Sequence, residues 1–153
     1  MVDGRPTPPF GQIVGQAQQA LRGLLDDVLE AASVSHPTWL TLNLLAVQGP
    51  ALPAEQLRRT LADGLRVELS EVSELFRGLE AAGYIELRGS AAGEEVALTS
   101  AGSALYRDLR AGVDRLSASA LAGIPQQDIE TTVNVLTRAR EQAQNLCAAR
   151  ASA

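Results

Sequence analysis

Within SEVSELFR, Ser70 to Arg77, eight residues carry two hydroxyls, two carboxylates and one guanidinium: Ser70, Ser73, Glu71, Glu74 and Arg77. At helical spacing Ser70, Ser73 and Arg77 share one side, with Glu71 and Glu74 beside them. These residue types can exchange hydrogen bonds with nucleic acid. Glutamate accepts from cytosine N4, serine serves either way, and arginine donates to guanine or phosphate. Arg58 and Arg59 upstream and Arg88 downstream could add phosphate contacts. The sign of the charge is the puzzle. Between Leu52 and Leu98 five arginines stand against nine acids, a net of −4 in a chain whose total is −5. Each carboxylate near a phosphate adds repulsion, and each phosphate without a cation forgoes counterion release.

Other chemistry finds little support. One histidine, His36, and one cysteine, Cys147, cannot supply a soft-metal site within the chain. There is no phosphate-binding glycine loop, no dinucleotide fingerprint and no nucleophile elbow. Asp26 and Asp27 are adjacent on a helix and project about 100° apart, so they form no dyad. No enzyme, metal or cofactor is expected.

The elements that must position the candidate residues follow from apolar spacing. The 153 residues are 46% hydrophobic and 20% charged, which suits one domain with an aliphatic, helical core. All thirteen basic residues are arginine. Residues 1–9 form a proline-rich tail. Ile13, Ala17, Leu21, Leu24 and Val28 predict a long first helix from Phe10 to Ala32. Ser35 caps a second, with Pro37 in its first turn, that ends before Gly49 and Pro50. Pro53 opens a third over Ala54 to about Leu65, and Val72, Leu75, Phe76 and Leu79 place the buried face of a fourth over about Leu69 to Ala82. Gly83 stops it.

Tyr84, Ile85 and Leu87 begin a strand, GSAAG (Gly89–Gly93) turns, and Glu94–Leu98 returns. Thr99 caps a long helix to about Leu121. The last helix carries the heptad seam Ile129, Val133, Leu136, Arg140, Ala143 and Cys147. Cys147 is expected as a buried thiol on that seam, and Arg140 as a partner for Glu141 of a second copy. No apolar run is long enough for a membrane span, and a single cysteine forms no internal disulfide, so a cytoplasmic setting is expected.

LADGLRVELSEVSELFRGLEAAGYIE (Leu61–Glu86) resembles, without gaps, the LAxxLxVxxSxVxxLxxxLExxGxIxR core of the MarR family of winged-helix transcription regulators. LTSAG (Leu98–Gly102) resembles the family's LTxxG, which closes the wing and opens the fifth helix. The resemblance implies a mainly α fold with a small two- or three-stranded β-wing. It implies one domain over 10–150, with a winged helix-turn-helix lobe at about 37–98 and dimerisation helices at about 10–32 and 99–150. It further implies a bacterial homodimer that binds double-stranded DNA at a pseudo-palindromic operator, typically as a repressor, and answers to a small aromatic ligand. His36 and Trp39 are the ligand-binding candidates, although a lone Trp at helical spacing is more often core.

Three departures bear on function. Arg66 stands where the turn usually has glycine, and a left-handed backbone there costs a non-glycine residue about 1 kcal/mol. Glu68 stands where Ser or Thr usually caps the recognition helix, and the wing loop is short and uncharged. Two readings therefore stay open: a DNA-binding regulator, or a winged-helix dimer with lost or weak DNA affinity that acts through protein contacts.

Overall fold

The computed structural model describes residues 8–151. The tail expected over residues 1–9 therefore lies, up to residue 7, outside the described residues. The order is α1 (Phe10–Ala31), α2 (His36–Gln48), β1 (Ala51–Pro53), α3 (Ala54–Leu65), α4 (Leu69–Ala81), β2 (Ile85–Ser90), β3 (Gly93–Leu98), α5 (Ser100–Ala120) and α6 (Gln126–Ala151). The chain divides into two compact units after Ser117, within α5.

In the first unit, local chemistry sets the helix ends. Ser35 Oγ accepts from the Thr38 N–H at 3.3 Å, satisfying an otherwise orphaned donor of α2. Glu68 precedes α4 without any side-chain capping bond, so only the charge of the first turn, with Glu71 in it, favours that terminus. At the other end Gly83 adopts φ +78°. Its N–H reaches Glu80 O at 2.9 Å and that of Tyr84 reaches Leu79 O at 3.0 Å, the paired bonds of a Schellman stop.

The sheet is antiparallel in the order β1-β3-β2. β1 is absent from the periodicity reading because three residues are too few to show alternation. It forms on the free edge of β3, pairing Leu52 with Val96. The wing is also tighter than the GSAAG turn suggests. Ser90 and Gly93 already pair across the hairpin, leaving Ala91 and Ala92 at the tip.

Leu42, Leu45, Leu57, Leu61, Phe76 and Val96 fill the lobe core, each contributing about 1.5–3 kcal/mol by leaving water. A second cluster joins α1, α2 and α5 through Leu29, Trp39 and Leu109. LTSAG clasps the start of α5 to the junction of α4 and β2. Thr99 Oγ1 accepts from Gly102 N–H at 3.0 Å and donates to Gly83 O at 2.6 Å. Gly102 lies so close to β2's entry that a Cβ there would meet the Tyr84 carbonyl oxygen at 2.0 Å.

The second unit consists of the end of α5 and α6. No residue of α6 is buried. Val133, Val135, Leu136 and Leu146 are exposed, and so is Cys147. The buried thiol expected at Cys147 is thus not buried by its own chain, because a seam needs a second helix to cover it.

Candidate nucleic-acid interface

Burial of Val72, Phe76 and Leu79 fixes the rotation of α4. Ser70, Glu71, Glu74 and Arg77 are consequently exposed. Ser73 is half-buried, and its hydroxyl donates to Leu69 O at 3.0 Å, within its own helix. Four of these five side chains are therefore open to solvent, and the hydroxyl of the fifth is engaged by backbone.

The arginines expected to grip phosphate are each held by an acid. Arg58 donates to Glu94 at 2.7 Å, a contact that ties α3 to β3 near the tip of the wing. Its guanidinium also sits over the Phe76 ring, 5.5 Å from the centroid, and its Nε is buried without a hydrogen-bond partner. Arg59 pairs with Glu55 at 2.9 Å on the surface of α3. Arg77 pairs with Glu74, and Arg88 with Glu86. Four of the lobe's five arginines are neutralised in this way.

Arg66 is the fifth. It is exposed and enters no ion pair among the described residues. Its backbone is left-handed, φ 57° and ψ 48°, and it closes α3 with its N–H on Ala62 O. The sequence shows Arg66 as a departure in the turn. It does not show that the neighbouring acids leave it unpaired.

Both ligand candidates lie on α2. Trp39 is 6% exposed and stacks on Tyr106, with centroids 5.6 Å apart. His36 is half-buried at the start of α2. Burial first, and the Arg22 charge second, hold its pKa below the ordinary 6.5 against the opposing pull of Asp26. A cavity of about 530 Å³ opens between α1 and α5, walled by Val28, Leu105, Leu109 and Leu116 with Asp27, Asp108 and Arg115 among its polar groups. A smaller one, about 290 Å³, lies beside Pro37, Leu65, Val67, Val72 and Leu75, with Glu71 as its charged group. Neither His36 nor Trp39 lines either cavity.

Among the described residues no group of three or more His, Cys, Asp or Glu could hold a metal ion, and no helix is long and apolar enough to cross a membrane.

No family model and no curated protein matches the sequence. Solved structures do. The transcriptional regulator PA3341 superposes with a TM-score of 0.75 at 26% identity, over 90% of this chain and 99% of that one. NadR in complex with 4-hydroxyphenylacetate gives 0.72 at 20% identity, over 90% and 99%. The MarR family protein Rv2887 of Mycobacterium tuberculosis, in complex with p-aminosalicylic acid, gives 0.68 at 23% identity, over 86% and 98%. The likeness spans nearly the whole of each chain and includes the helix-turn-helix, the wing and the flanking helices. By architecture, and by the motif that runs from Leu61 to Gly102, this chain has the fold of the MarR-family winged-helix regulators.

Proposed function

We propose that the protein is a homodimeric, cytoplasmic transcription regulator that binds double-stranded DNA at a pseudo-palindromic site through α4 and the wing. The observation that carries this is the rotation of α4, which its buried face sets so that Ser70, Glu71, Glu74 and Arg77 stand outward. Uncovered apolar side chains support the dimer. Phe10, Ile13 and Leu21 on α1, and Val133, Leu136 and Leu146 on α6, are exposed in the single chain. A second copy would remove them from water at roughly 25 cal/mol per Å². Aromatic acids occupy two of the similar structures, and a small aromatic ligand is proposed as the effector here.

The paired arginines favour a second reading, a winged-helix dimer that has little DNA affinity and acts through protein contacts. Glu71→Gln and Glu74→Gln separate the two. If these carboxylates read cytosine, neutralising them relaxes specificity at one or two base pairs. If they only repel, the same changes tighten binding to every sequence alike. A double variant that binds no DNA at low salt leaves the protein-partner reading.

A further inference from the structure

We propose that Arg66 is a phosphate-contacting residue, and that the helix-turn-helix turn keeps a strained arginine for that purpose. The inference rests on the DNA-binding reading and adds a residue to it. Three observations converge. The first is conformation: φ 57° and ψ 48° place Arg66 in the left-handed region that glycine enters freely and other residues rarely do. A turn selected for stability alone would carry glycine here. Strain held at one position invites a functional reading.

The second observation is charge. Arg58, Arg59, Arg77 and Arg88 are each committed to a neighbouring acid, whereas Arg66 enters no ion pair among the described residues. It is therefore the lobe arginine that can meet a phosphate without first giving up a carboxylate. The third is position. Arg66 lies three residues ahead of Leu69, where α4 begins. In helix-turn-helix docking the N-terminal end of the recognition helix enters the groove, so the preceding turn comes near the sugar-phosphate backbone. Glu68 and Glu71 flank that end and oppose the approach of phosphate. A planar guanidinium on a long side chain offsets them and suits a phosphate's paired oxygens.

The test uses the full-length protein, a duplex from the intergenic DNA upstream of its own gene, and a scrambled duplex of equal length. Arg66→Gly should raise the melting temperature because the backbone strain is relieved. It should also weaken binding to both duplexes alike, several-fold at moderate salt, and make the log–log salt slope shallower by about 1.8 per dimer, about 0.9 for the phosphate contact of each subunit. Arg66→Gln should weaken binding similarly without raising the melting temperature, which separates charge from strain. An Arg66→Gly protein that is more stable but keeps wild-type affinity and slope would overturn the assignment, leaving Arg66 as a strained turn only. A wild type that binds neither duplex at low salt would overturn this assignment and the regulator reading together.

Discussion

Replacing Glu94 with glutamine removes the carboxylate that holds Arg58 across from α3 to the wing. In the wild type the 2.7 Å contact must loosen before Arg58 can serve a phosphate. The pair's side chains are 24% and 47% exposed, so solvent screens it and its own contribution to stability is below about 1 kcal/mol. The larger effect falls on DNA binding. One more available cation per subunit, two per dimer, steepens the log–log salt slope by about 1.8, so a fourfold rise in salt, from about 50 to 200 mM, would weaken binding about 12-fold more than in the wild type. Affinity at low salt should rise, helped by the loss of one repelling carboxylate. Fluorescence anisotropy with a labelled duplex at four or so salt concentrations reads both quantities. An unchanged slope and unchanged low-salt affinity, in a variant that melts within a few degrees of wild type, would refute the idea that Glu94 withholds Arg58 from DNA.

Gly102→Ala should destabilise the fold by about 1–3 kcal/mol or more, because its Cβ would collide with the Tyr84 carbonyl at 2.0 Å; chemical denaturation measures this. His36 gives a pH signature. Its folded pKa lies below 6.5, so the unfolded chain takes up the proton first as pH falls. The stability it contributes is full above pH 6.5 and is lost as pH drops through 6.5 toward the lowered folded value. His36→Gln should flatten that part of the stability–pH curve, and an unaltered curve would show that His36 is not its source. Sedimentation at micromolar concentration should give a dimer, and Leu136→Arg on the exposed stripe of α6 should shift it toward monomer.

Much of the fold is legible because its causes are local. The apolar spacing of Val72, Phe76 and Leu79 sets both the existence and the rotation of α4, and Gly83 marks its end. LTSAG announces a clasp whose hydrogen bonds run through Thr99 and whose tight contact requires Gly102. β1 is not legible, since its three residues become a strand only by pairing with β3. The candidate interface divides the same way. Which residues face outward on α4 follows from periodicity. The state of Arg58 does not, because its acid lies 36 positions away and is brought close by the wing. Arg66 is visible as a strained residue, but its freedom from ion pairs depends on where every nearby carboxylate goes. Trp39, open to two roles in the sequence, sits in the α1–α2–α5 cluster because Tyr106 of α5 arrives beside it.

The most direct test of the account is an equilibrium titration of the wild-type protein against its own upstream intergenic duplex, with a scrambled duplex as control, across a range of salt. The expected result is specific binding, saturating at one dimer per site, that weakens with salt along a shallow slope because most lobe arginines are already paired. Equal binding to both duplexes, or none to either at low salt, would contradict it.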